Sequence, residues 1–144
     1  MSDADPTREA RVAVAHAHAA AEAEGDLETT MATLGAEPVY ELQPLGRLLR
    51  GREAARTYYE HFFGTFQQQI DGYELRSEWV TDEGVGQEYV LFLKGPDGTR
   101  TSHAIVGILL FGDEGTLAGE RLYASDHLFE VMVGPALALS EPIA

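Results

Sequence analysis

The chain of 144 residues contains no cysteine. Disulfides, thiolate nucleophiles and cysteine-ligated zinc are therefore excluded together, and the composition fits a reducing cytoplasm. No apolar run approaches the ~20 residues of a membrane span. The opening residues, Met1 to Pro6, are acidic with no apolar stretch behind them, and do not read as a signal peptide. Basic charge is scarce: 10 Lys and Arg stand against 24 Asp and Glu, a formal net charge of −14. A surface of that sign repels phosphate backbones and anionic lipid, so neither nucleic acid nor membrane is an expected partner. Metal-ligand spacing of the His-Glu-x-x-His kind does not occur, and no metal or cofactor is expected.

What remains is the composition of an ordinary globular domain, 44% hydrophobic and 24% charged. Asp5-Pro6 reads as a helix start, followed by an Ala-rich helix over residues 6–24 that ends near Gly25. Asp26 can cap a second helix carrying Leu27, Met31 and Leu34, closed by Gly35. The β-favouring residues between Pro38 and Leu49, around Pro44-Leu45-Gly46, predict a short hairpin or bulged strand pair. A third helix over 52–66 carries the stripe Ala55, Tyr58, Tyr59, Phe62, Phe63 and Phe66 at helical spacing, a pattern typical of core.

From residue 72 the pattern changes to strands with short Gly-containing turns. The expected strands are Tyr73–Thr81, Val85–Lys94, Thr99–Phe111 and Thr116–Ala124, an antiparallel meander. Asp126–Val133 suits a short last helix, and residues 135–144 a tail or arm. Three helices followed by a long meander is segregated α+β in one domain, residues 1–134. A sheet that long coils, and helices can cover its concave face.

Three strings carry a resemblance over roughly residues 10–134: Glu24–Glu28 (EGDLE), Gly51–Tyr59 (GREAARTYY) and Gly119–Asp126 (GERLYASD). In order and spacing they resemble the NTF2-like superfamily, in its SnoaL-like, ketosteroid-isomerase-like and limonene-epoxide-hydrolase-like branch. The resemblance implies a cone whose curved sheet encloses a small-molecule pocket. It also implies pairing through the sheet, so a homodimer is expected. Members range from isomerases, epoxide hydrolases, cyclases and dehydratases to non-catalytic binding or dimerisation domains, so the pocket residues decide the function.

Gln43, before Pro44-Leu45-Gly46, stands where the isomerases carry their catalytic Asp, and Gln cannot take a proton near neutral pH. Gly107 stands where they carry the oxyanion Asp, and His18 where their helix-1 Tyr lies. Tyr40 matches the Tyr of the epoxide-hydrolase pattern, whose Asn is Leu42 here, and the Arg-x-Asp pair of those enzymes has no counterpart on the two middle strands of the meander. The cyclases' Asp would fall on Ser125, one residue before Asp126, and the nearest counterpart of their His is His103.

The last hairpin gives His103 a partner by register. A two-residue loop Glu114-Gly115 sets it opposite Asp126, a loop Asp113–Gly115 opposite Ser125, and a loop Asp113-Glu114 beside Ala124. Directly opposed residues share a face about 5 Å apart. A His–carboxylate pair sets ring tautomer and basicity for acid/base work, and a structural hydrogen bond near a strand end is the plainer alternative.

The expected catalytic set is therefore His103, Asp126 and His18, with Tyr40, Gln43, Tyr59, Trp79, Tyr89 and Tyr123 lining a substrate pocket. His16 is expected at the surface and His61 exposed beside the helix-3 stripe. Glu88 and Tyr89 alternate on one strand, and the outward position suits Glu88. The expected function is acid/base chemistry without a cofactor on a small apolar molecule: isomerisation, cyclisation, dehydration or epoxide opening. The alternative is a non-catalytic ligand-binding or dimerisation domain.

Overall fold

The computed structural model describes residues 6–113 and 115–144; Asp5 and Glu114, invoked above for a helix cap and a hairpin loop, lie outside the described residues. Helix α1 (Pro6–Glu24) is followed by α2 (Leu27–Ala32), whose first turn is capped by Asp26 accepting from the Thr29 amide. α2 ends at Ala32, with Thr33 as its C-cap, two residues before the Leu34 that the apolar spacing assigned to it. Leu34 and Gly35 already belong to β1 (Leu34–Gln43), because Leu34 pairs with Leu117 of the last long strand. β1 turns back into β2 (Arg47–Arg50) as an antiparallel hairpin. Helix α3 (Arg52–His61) runs into a π turn (Phe62–Phe66) and a 3-10 turn (Gln67–Gln69). Its stripe is core: Ala55, Tyr58, Tyr59, Phe62 and Phe66 are all buried.

Strands β3 (Ile70–Val80), β4 (Gly84–Lys94), β5 (Arg100–Phe111) and β6 (Leu117–Tyr123) form the expected antiparallel meander. β6 then pairs with β1 in parallel, so the seven-stranded sheet is mixed, in the order β3-β4-β5-β6-β1-β2-β7. Gly119 makes that parallel junction possible. Its φ is +131°, and a Cβ there would collide with the backbone of Val39. Helix α4 (Asp126–Val133), capped by the Ser125 side chain, leads to a 3-10 turn (Gly134–Leu139) and the two-residue strand β7 (Glu141–Pro142), which pairs with β2. The tail is thus built into the sheet edge: Ala136 is fully buried, and the Arg47 guanidinium donates to the Ser140 hydroxyl and carbonyl.

The inner face of the sheet carries Tyr40 and Leu42 from β1, Tyr89 and Leu91 from β4, Ile105, Gly107 and Leu109 from β5, and Glu120 and Leu122 from β6. α1, α3 and α4 supply Ala15, His18, Ala21, Tyr58, Tyr59, Phe129 and Met132 to the same buried layer. In this apolar layer two titratable side chains are conspicuous, His18 and Glu120.

Candidate active site: a buried histidine between two glutamates

The inner face is incompletely filled. A cavity of about 470 Å³ remains between α1 and the sheet, lined mainly by Ala19, Ala20, Phe62, Leu75, Tyr89 and Leu109. Its mouth lies at β3, whose lining residues Tyr73 and Leu75 are exposed. Its polar floor is His18, Glu22 and Glu120. Cavities of this size with few polar groups in an apolar wall are usual small-molecule sites.

Helical spacing places Glu22 one turn after His18 on the same face of α1. Strand alternation turns Glu120 inward between its outward neighbours. The His18 ring is fully buried and its Nε2 lies 3.3 Å from Glu22 Oε2 and 3.5 Å from Glu120 Oε2. The Tyr59 hydroxyl is 3.0 Å from His18 Nε2 and donates toward Glu120 Oε2 at 3.0 Å or Glu22 Oε2 at 3.1 Å. Tyr40 braces it from behind, hydroxyl to hydroxyl at 2.7 Å.

The other ring nitrogen fixes the tautomer. Thr33 Oγ1 spends its one hydrogen on the Thr30 carbonyl at 2.6 Å, so toward His18 Nδ1, at 2.7 Å, it can only accept. Nδ1 therefore carries a hydrogen, and Nε2 is the atom that faces the carboxylates.

The electrostatics follow from burial and proximity. Burial pulls the His18 pKa down, but hydrogen bonds and charge from Glu120 and Glu22 outweigh it and push the value up to about 10. Burial and the neighbouring Glu120 charge raise the Glu22 carboxyl above the usual carboxylate range. Burial, with Glu120 close by, also keeps the Tyr40 and Tyr59 phenols protonated. An imidazole with a raised pKa and a carboxyl with a raised pKa thus lie beside Glu120 within one hydrogen-bonded group. That is a donor and an acceptor side by side, the requirement for acid/base work. Gly107 keeps the approach open: a Cβ there would stand 3.3 Å from Leu122 Cδ2 and 3.7 Å from Glu120 Oε1. Among the described residues, His18, Glu22 and Glu120 are also the set whose ligand atoms gather within 4.8 Å of one another, as a metal ion would require.

Of the residues singled out from sequence, His18 sits at the centre of this cluster, Tyr40 and Tyr59 stand directly behind it, and Tyr89 lines the cavity wall. Three others lie elsewhere. Gln43 and Tyr123 oppose each other on the outer phase of β1 and β6. Trp79 lies across Gly86, because the β3 bulge between Leu75 and Ser77 reverses the alternation that turns Tyr73 and Leu75 inward.

His103 and Asp126 do not meet. The β5–β6 register is the one that would set them opposite, with Val106 against Tyr123, but β6 ends at Tyr123 and Asp126 enters α4. His103 instead bonds the Thr101 hydroxyl at 2.8 Å and lines a smaller hollow with His127. Burial and the charge of His127 lower its pKa. His16 is exposed and bonds Glu78 at 3.0 Å, and Glu88 points outward. His61 is half-buried rather than exposed, held by the Val131 carbonyl at 2.8 Å, because the turn after α4 folds back over it. The two carboxylates of the cluster were not among the sequence candidates. The spacing of His18 and Glu22 was the one signal available for Glu22, and nothing local marks Glu120.

No family model matches the chain, and no curated protein matches it significantly. Solved structures do match its fold. An NTF2-like protein of unknown function from Cytophaga hutchinsonii superposes with a TM-score of 0.66 at 10% identity, over 80% of this chain and 99% of the other. An NTF2-like protein of unknown function from Burkholderia xenovorans superposes at 0.64 and 22% identity, over 83% and 87%. An LEH-like epoxide hydrolase of M. tuberculosis superposes at 0.65 and 20% identity, over 92% of both chains. The chain has the NTF2-like, α+β cone fold. Identities this low establish fold and leave function to the site.

Proposed function

We propose that the chain is a small-molecule enzyme that transfers protons at the His18–Glu22–Glu120 cluster. The observation that carries this reading is a buried imidazole between two glutamates at the floor of an apolar cavity of about 470 Å³. In this reading Glu22, whose pKa is raised by burial and by Glu120, donates a proton to a substrate oxygen. Glu120 accepts one from a substrate carbon or from an attacking water. His18, anchored through Thr33, holds the two carboxylates in place and balances their charge. The apolar wall selects a small, largely hydrocarbon molecule with one oxygen function. Isomerisation, cyclisation, dehydration and epoxide opening each need a donor and an acceptor around such a function. Epoxides come first in a screen because the M. tuberculosis epoxide hydrolase shares the fold.

The test is turnover of a panel of epoxides, enones and hydroxyketones. Glu22→Gln and Glu120→Gln should each slow an active substrate by roughly 100-fold or more. Unchanged turnover in the double variant would remove the cluster from the chemistry.

A dimerisation role is favoured by a separate observation. Val90 and Phe92 of β4 and Val106 and Ile108 of β5 present partly exposed apolar side chains on the outer face of the sheet. In this reading a second copy covers that face. A sedimentation mass of one chain at micromolar concentration would contradict it.

A further inference from the structure

The lone-pair geometry of the cluster admits an occupant beyond protons. With Nδ1–H committed to Thr33, an ion that displaces the Nε2 proton meets the Nε2 lone pair facing Glu22 Oε2 and Glu120 Oε2, 3.3 and 3.5 Å away. Three such donors gathered together are favourable only around a positive charge, which is the ring proton or a metal ion in its place. The two distances from Nε2 are those around a small tetrahedral ion, whose ligands about 2.0–2.1 Å from zinc stand about 3.4 Å apart, and all three ligand atoms lie within 4.8 Å of one another.

The surroundings fit the same occupant. A metal-bound histidine ordinarily has its second ring nitrogen fixed by a hydrogen bond, and the chain His18–Thr33–Thr30 carbonyl does that here. Tyr59 holds Glu120 and is itself braced by Tyr40, so both lie where outer-shell partners of the ligands are expected. One neutral imidazole and two carboxylates neutralise a dication, which suits a site where His18 and Glu120 are buried. Glu22 and Glu120 both line that cavity, so a fourth ligand could reach the ion from it.

We propose that His18 Nε2, Glu22 and Glu120 bind one zinc ion. The proposal goes beyond the proton-transfer reading and does not depend on it, since metal uptake is measured without substrate. With both carboxylates taken as ligands, a zinc ion there would act in place of proton transfer by Glu22 and Glu120, polarising a substrate oxygen or activating a water.

The experiment is calorimetric titration of the chelator-treated full chain with zinc, magnesium and cobalt(II). Zinc should bind at one equivalent per chain and raise the melting temperature. Magnesium, which demands six oxygen-type ligands, should not. Cobalt(II) should give the intense visible absorption of a tetrahedral site. Glu22→Gln and Glu120→Gln should each weaken zinc binding at least tenfold, whereas His103→Gln, in the separate hollow shared with His127, should retain it. Glu22 lies at the cavity wall with 22% of its side chain exposed, so its variant tests the site with the least risk to folding.

Absence of zinc binding to the wild type, or equal binding to wild type and both glutamine variants, overturns the proposal. Substrate turnover without zinc uptake would sink the metal site alone. Zinc uptake with no turnover in any metal state would sink the enzyme reading alone.

Discussion

At the scale of single residues, the site depends on Thr33 as much as on the groups that face the cavity. Its hydroxyl accepts the Nδ1 hydrogen of a fully buried ring, and no water can take over that role at a site of zero exposure. Thr33→Val keeps the shape and removes the acceptor. A buried N–H without a partner costs about 1–3 kcal/mol. We expect a loss of stability of that size in urea denaturation, with the fold retained. A loss below about 0.5 kcal/mol, the range of an indifferent surface change, would mean that Nδ1 does not carry the hydrogen. Residue-level reasoning reached His18 because one helical position could be placed against a family pattern. It did not reach Glu120, because an acidic residue on a strand looks the same from sequence whether it faces water or a buried imidazole.

At the scale of elements, two local devices position the site. Asp26 caps α2, and its hydrogen bonds from the Thr29 hydroxyl and amide hold its pKa below the ordinary value of 3.8. A carboxyl whose folded pKa is lowered contributes stability that is complete above its unfolded pKa and disappears as pH falls through the folded one. Asp26→Ala should therefore melt earlier than the wild type at neutral pH, and the gap should close as pH falls below the usual carboxylate range. A gap independent of pH would remove the cap from the account.

The second device is Gly119 at the β1–β6 junction, the parallel pairing that sets Glu120 beside Tyr40. Alanine there meets both a backbone angle of +131° and the Val39 backbone. We expect Gly119→Ala to cost at least about 2 kcal/mol by chemical denaturation. A neutral outcome would show that β1 can shift without cost.

At the scale of the whole molecule, the segment after α4 matters to the sheet. The segment after α4 packs Ala136 against the core, ties Ser140 to Arg47 and adds β7 to the edge beside β2. Ending the chain after Val133 should lower the melting temperature by several degrees, about 1–2 kcal/mol for a domain of this length. An unchanged melting temperature would show that the tail is passive. The expectation of a tail or arm came from the two prolines of that segment. It could not see that one side of β2 is an open edge waiting for a strand, because edge pairing is a property of the assembled sheet.

The order of helices and strands, the antiparallel meander, the α3 stripe and the cap at Asp26 were determined by the sequence itself. Each rests on periodicity or on residues adjacent in the chain, and such signals need no tertiary partner. The β5–β6 register over Val106–Leu110 matches one of the three weighed from sequence, but a bulge between Leu110 and Phe111 sets it rather than the hairpin loop. The tertiary structure decided where β6 stops, which takes Asp126 away from His103. It decided that a bulge turns Trp79 outward. It also decided that β6 returns in parallel to β1, bringing Glu120 to a helix residue about a hundred positions earlier in the chain. The site is a convergence of α1, α2, α3, β1 and β6. A sequence records the faces of elements one at a time, and only their packing brings those faces to a common point.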